Sequence, residues 1–137
     1  MHAELITSEG SAYSGEAISV TIPSGDGEIT VLNHHIPLLS TVAPGTVIVR
    51  TGDEELYFAV SRGVVQVGKK GLRILSEIAD RAETLDEEAI ELARKRAEEL
   101  KAARRNDAEG FAEATATLER ELARLTALRR RKSRRLR

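Results

Sequence analysis

The residues in this chain that could do chemistry are few and scattered. His34-His35 is its one histidine pair. A metal centre needs a third ligand and a supporting shell, and neighbours on a strand project to opposite faces. The pair therefore predicts loop or packing histidines and no metal site. Cysteine is absent, which removes thiolate ligands, a cysteine nucleophile and a disulfide framework. No Gly-x-Ser-x-Gly elbow, Walker loop or His-Glu-x-x-His motif occurs. Ser14-Gly15-Glu16 and Ser61-Arg62-Gly63 read as plain turns. Acidic side chains are plentiful, but no spacing pairs two of them across a cleft, so the expectation is a chain without a catalytic site. The strongest chemical signal is charge: seven of the last nine residues, 129–137, are Lys or Arg. At the end of a helix, such a cluster complements the negative end of the dipole. As a surface, it suits an acidic protein partner or anionic lipid.

The elements that must carry these residues follow from composition and period. The chain has 137 residues, a formal net charge of -1, 41% hydrophobic and 31% charged residues. That composition is globular, and the near-neutral total argues against a dedicated nucleic-acid binder. The aromatics are Tyr13, Tyr57, Phe58 and Phe111, too few for a base-stacking platform. The opening Met1-His2-Ala3-Glu4 lacks the basic segment and apolar core of a signal peptide. The uncharged run 29–49 is long enough to span a bilayer, but it holds Asn33, His34, His35, Pro37, Pro44 and Gly45 and is rejected as a transmembrane helix. Direct membrane insertion is not expected.

Charge and period both change near Asp80. Residues through Asp80 include ten acidic and five basic side chains, and the remainder 12 acidic and 16 basic. Before Asp80 the pattern is that of short strands. Ile18, Val20 and Ile22 alternate with Ser19 and Thr21, and apolar runs at 29–31, 46–51, 56–60, 64–67 and 72–75 are separated by Gly-rich turns. After it, Ile90, Ala93, Ala97 and Leu100 form one helical stripe, and Phe111, Ala114, Leu118, Leu122 and Leu125 form a second. Thr84 with Glu87 offers a capping box, with Asp86 as a rival, and Asn106 is expected to cap the second helix. The predicted fold is an N-terminal antiparallel β-sandwich, residues 1–83, followed by a C-terminal antiparallel hairpin of two comparable helices, residues 84–137. Alanine on both seams buries little area, so the hairpin is expected to be weakly held.

The order of motifs resembles the epsilon subunit of F-type ATP synthases. Gly27-Glu28-Ile29-Thr30-Val31-Leu32 followed by His35-Ile36-Pro37-Leu38-Leu39 is similar to that family's "GEIGIL-PxHAPLL" segment. Pro44-Gly45 matches its "KPG", and Ala59-Val60-Ser61-Arg62-Gly63-Val64-Val65-Gln66-Val67 resembles "AVSGGFLEV". Tyr13-Ser14-Gly15-Glu16 and Ala79-Asp80-Arg81-Ala82-Glu83 also match in place, so the resemblance covers nearly the whole chain. The sequence departs from the pattern at Asn33, His34, Ile36 and Arg62.

The resemblance implies a non-catalytic rotor and regulatory subunit. The sandwich would join the gamma subunit to the c-ring in proton-driven ATP synthesis, with Glu28 and His35 in the segment facing these partners. The hairpin would inhibit ATP hydrolysis when extended into the catalytic head, with basic residues such as Arg94, Arg120 and Arg124 facing an acidic segment of the beta subunit. Some members bind ATP on the folded hairpin through "[IL]DxxRA". Here Leu85 and Asp86 match, Ala89 replaces the arginine, and Arg96, Arg120 and Arg124 resemble other basic residues of that site, so the expectation is weak or no ATP binding and no cofactor. The implied location is peripheral, on the cytoplasmic face of a bacterial inner membrane. An alternative function is a free-standing β-sandwich adaptor whose hairpin captures an acidic partner.

Overall fold

The computed structural model describes residues 1–135. Ten strands come first: β1 (His2–Thr7), β2 (Gly10–Glu16), β3 (Ser19–Ser24), β4 (Gly27–Leu32), β5 (Leu38–Val42), β6 (Gly45–Arg50), β7 (Glu55–Val60), β8 (Gly63–Gly68), β9 (Gly71–Ser76) and β10 (Ala79–Arg81). A single 3-10 turn (Ala82–Thr84) leads into α1 (Glu87–Ala103) and α2 (Ala108–Arg135). The strands make two five-stranded sheets, ordered β2-β1-β9-β8-β5 and β10-β7-β6-β3-β4.

Period-2 alternation positions the core. Val20 and Ile22 of β3, Val47 and Val49 of β6, and Phe58 and Val60 of β7 point inward from the second sheet. They meet Leu5, Val65, Val67, Leu72 and Ile74 of the first sheet in one buried cluster. The pairing is antiparallel except between β1 and β9, where Ala3 lies opposite Leu72 and Leu5 opposite Ile74 in parallel register. Ile18, expected to alternate inward with Val20, is 59% exposed. It lies just before β3, where its N–H donates to the Arg50 carbonyl at 2.7 Å. His34-His35 lies in the turn after β4 and not on a strand, with His34 at φ 65.

Asp86, rather than Thr84, caps α1: its carboxylate accepts the Glu88 N–H at 3.1 Å. The Thr84 hydroxyl donates instead to the Arg81 carbonyl at 2.8 Å. The start of α2 falls one residue beyond the expected cap, since the Asp107 carbonyl accepts the Phe111 N–H at 2.8 Å. The helices are also unequal, at 17 and 28 residues. Their seam is closed at its base by Ile90, Leu125 and Leu128 packed with Leu85. Toward the hairpin loop it gapes into a groove of ≈ 360 Å³ lined by Arg96, Leu100, Arg104 and Glu113 among others. Leu100, assigned to the first stripe, lines this groove and is 50% exposed, and Leu122 of the second stripe is 44% exposed.

The helices do not share the sandwich core. α2 lies on the outer face of the second sheet, where Ala127 packs on Ile48, Tyr57, Ala59 and Ala82 in a separate small cluster. An alanine methyl contributes about 0.8 kcal/mol on burial, so apolar contact alone holds this face lightly.

Candidate functional site: the clasp between hairpin and sandwich

α2 runs along β7 in the opposite sense, and charged pairs mark its course. At its upper end, Arg62 in the turn after β7 forks onto Glu119, with Nη2 donating to Oε1 at 2.9 Å and Nε to Oε2 at 3.3 Å. The turn itself is fixed by two buried serines. The Ser61 N–H donates to Ser76 Oγ and the Ile78 N–H to Ser61 Oγ, both at 3.1 Å. Glycine is required at position 63, where a Cβ would fall 1.9 Å from the Leu75 carbonyl oxygen. Arg62 stands where the resembled family has glycine, and here it is a hairpin contact.

At the next residue of α2, Arg120 Nη1 lies 3.6 Å from Glu77 Oε2. Arg124 then donates from Nε to Asp80 Oδ2 at 2.8 Å and from Nη1 to Glu121 Oε1 at 2.6 Å. Burial opposes the Arg124 charge, but the Asp80 and Glu121 carboxylates outweigh it and hold its pKa above the ordinary value. Glu121 is itself buried, and Arg124 is the partner that makes this tolerable.

The basic tail is engaged as far as its side chains are described. Arg130 Nη1 donates to Glu28 Oε2 on β4 at 2.7 Å. Arg134 Nη2 lies 3.3 Å from Glu55 Oε1 and Arg131 Nη2 3.7 Å from Glu83 Oε2. Arg129 and Lys132 turn to α1, with Arg129 Nη2 donating to Glu91 at 2.9 Å and Lys132 Nζ to Glu87 at 2.8 Å. The hydrogen bond from Lys132 is the main cause that lowers the Glu87 pKa. The last residues of the basic run, 136 and 137, lie outside the described residues.

The residues singled out in the sequence thus fall into separate places. Glu28 is bound to the hairpin. His35 is half-buried in the β4–β5 turn, its Nδ1 2.7 Å from the Ile36 carbonyl oxygen. Beside them Leu32, Ile36 and Leu39 are 56%, 75% and 75% exposed. Arg94 is held on α1 by Glu91 and Glu98, at 2.9 Å and 2.7 Å. Asp86 serves as a cap, Arg96 lines the open groove, and Arg120 and Arg124 face the sandwich. The four residues named for a nucleotide site are therefore not presented together with free donors. Sequence reasoning missed Arg62, Glu119, Asp80, Glu55 and Tyr57. Nothing in local spacing signals them, because partners such as Arg62 and Glu119 are 57 residues apart.

Fold and clasp together define an interaction module: a rigid sandwich carrying a helical hairpin on one outer face through small side chains and ion pairs. A profile described as ATP synthase, Delta/Epsilon chain, beta-sandwich domain matches residues 1–82. The ATP synthase epsilon chain 1 of Methylococcus capsulatus is 40% identical over 93% of this chain and 91% of its own length. The ATP synthase epsilon chain of Alkalilimnicola ehrlichii is 35% identical over 95% and 93%. In fold, the chain is similar to one in the mitochondrial ATP synthase of Euglena gracilis, with a TM-score of 0.73 at 22% identity over 85% of this chain and 74% of that one. The chain belongs to the ATP synthase delta/epsilon family, and within it to the epsilon chains, which are non-catalytic subunits. No helix among the described residues is long and apolar enough to cross a membrane.

Proposed function

We propose that the chain couples gamma to the c-ring in the central stalk of a proton-driven ATP synthase and restrains ATP hydrolysis with its hairpin. It works in two parts, residues 1–83 as the stalk-binding sandwich and 84–137 as the regulator. It sits peripherally on the cytoplasmic face of a bacterial inner membrane. The observation that carries this reading is the separateness of the hairpin: α2 rests on the sandwich through its own small alanine-rich cluster, outside the sandwich core. Such a contact can be exchanged for another without unfolding the sandwich, which a regulatory lever requires. The segment that holds Glu28, His35 and the exposed Leu32, Ile36 and Leu39 meets gamma and the c-ring. In the extended state, Arg94, Arg120 and Arg124 exchange their present carboxylates for acidic residues of the beta subunit.

Deleting residues 84–137 should raise the ATPase activity of the assembled complex and leave assembly intact. Unchanged hydrolysis would remove the regulatory half of the reading.

The hairpin binds ATP weakly or not at all. Ala89 supplies no phosphate donor, and losing one charge-assisted hydrogen bond costs about 1.5–3 kcal/mol. Asp86, Arg120 and Arg124 are moreover committed to other partners. Calorimetric titration of the full chain should show no micromolar site, and a micromolar site would overturn the expectation.

A further inference from the structure

The hairpin closes over a buried hydroxyl that no polar group answers. Thr46 of β6 stands on the outer face of the second sheet, two residues before Ile48 and paired with Ala59 of β7. Ile48 and Ala59 belong to the small cluster on which Ala127 of α2 packs, whereas Val47 and Val49 point into the sandwich core. α2 packs along both β6 and β7. Thr46 is 2% exposed, and among the described residues its Oγ1 is the one buried side-chain oxygen or nitrogen without a hydrogen-bond partner. Other threonines nearby are satisfied. Thr21, on the same face of the sheet, has its Oγ1 3.1 Å from Thr30 Oγ1. Thr115, Thr117 and Thr126 of α2 donate to carbonyls four residues back, at 2.8, 3.0 and 2.9 Å. A helix offers a threonine that local acceptor. A strand does not, because its carbonyls already serve the neighbouring strands.

We propose that Thr46 is a release element: its hydroxyl loses water when α2 closes, gains no partner in return, and so keeps the hairpin detachable. When α2 lifts away, the outer face of β6 is bare and water reaches Oγ1. When α2 closes, that hydration is lost and the oxygen stays unpaired, which is unfavourable. The penalty falls on the closed state alone, so it shifts the open–closed equilibrium directly. It opposes the alanine contacts and the arginine clasp together. It does so without weakening the sandwich, because the core is built on the opposite face of β6. A valine has nearly the same shape as threonine and would hold the hairpin shut more firmly. The hydroxyl thus sets how readily the lever lifts, and it acts in the chain by itself, with no partner required.

The test compares two pairs of side chains that differ at the hydroxyl: native Thr46 with Thr46→Val, and Thr46→Ser with Thr46→Ala. Nitroxide labels at Lys69→Cys and Ser133→Cys, introduced into the full chain, which has no native cysteine, report the open form as a second distance component. Sodium chloride at about 1 M screens the exposed ion pairs and brings that component into range. Removing the hydroxyl should lower the open population about tenfold in each pair. The Ser–Ala comparison is decisive because it adds no apolar group. A fall in the Thr–Val pair alone would trace the effect to the added methyl and overturn the proposal. No fall in either pair, or a rise, would also overturn it. Thr46→Val in the assembled complex should raise ATP hydrolysis if the extended hairpin restrains it. A lowered open population in the isolated chain with unchanged hydrolysis would support the release element and count against the regulatory reading, so the two fail separately.

Discussion

Glu55, at the start of β7, has three donors around its carboxylate. The Tyr57 hydroxyl donates to Oε2 at 2.6 Å, Arg50 Nε to Oε1 at 3.2 Å, and Arg134 Nη2 lies 3.3 Å from Oε1. The Tyr57 hydrogen bond is the main cause that lowers the Glu55 pKa below its ordinary value of 4.5, against the opposing effect of burial. A lowered carboxylate contributes stability that is present above the ordinary value and is lost as pH falls through the folded one. Tyr57 shifts the other way, raised first by burial and then by Glu55. Its contribution is full below 10.0 and fades as pH rises through the raised value. Tyr57→Phe should return the Glu55 titration toward 4.5. It should also destabilise the fold by about 1 kcal/mol at neutral pH, and by much less once pH has fallen through the lowered Glu55 value and the carboxylate is protonated. Carboxyl ¹³C titration and urea unfolding at the two pH values check both halves. An equal cost at both values would mean that Tyr57 acts through packing and not through the carboxylate.

At the scale of elements, legibility in the sequence tracked how much apolar area each segment buries. β3, β6, β7, β8 and β9 contribute Val, Ile, Leu and Phe to the core at alternate positions, and their runs stand out. β1 is an interior strand of its sheet, yet its inward residues are Ala3 and Leu5, too few points to make a period. β2 and β5 are sheet edges and β10 has three residues, so none needs a full apolar face. The helices were legible as a pair because α1 and α2 bury one stripe each. Their caps and lengths were not: Asp86 and Thr84 are both capping types, with Asp the better, and the 3-10 turn occupies Thr84. The stripe failed at Leu100 and Leu122 for a tertiary reason. The hairpin opens toward its loop and α2 turns a different face to the sheet, so periodicity marked an amphipathic helix without telling which neighbour covers each part. The candidate site was legible only as a charge imbalance on either side of Asp80. Its pairings between hairpin and sandwich join residues 43 to 102 positions apart and leave no local trace.

For the whole molecule, that imbalance is the basis of closure. The acidic sandwich and the basic hairpin neutralise each other through Arg120–Glu77, Arg124–Asp80, Arg130–Glu28, Arg131–Glu83 and Arg134–Glu55, and Arg62–Glu119 adds one pair of the opposite sense. An exposed pair contributes about 0–1 kcal/mol, so none of these decides closure alone. As a set they rival the alanine contacts beneath α2. Salt acts on the two contributions differently. The screening length falls from about 10 Å at 0.1 M to about 3 Å at 1 M, which weakens the exposed pairs, whereas sodium chloride leaves apolar burial in the sandwich core largely intact. Arg124 with Asp80 and Glu121 is the most sheltered group and should yield last. Raising sodium chloride from about 0.05 to about 1 M should therefore increase the open population of the labelled chain on the order of tenfold. The urea midpoint of the sandwich should barely move over the same range. Distances between Lys69→Cys and Ser133→Cys labels, read beside tryptophan-free far-ultraviolet unfolding curves, separate the two responses. A hairpin indifferent to salt would mean that Ala127 and its neighbours carry closure unaided, and the arginines of α2 would then be free to serve a partner without any cost to the closed state.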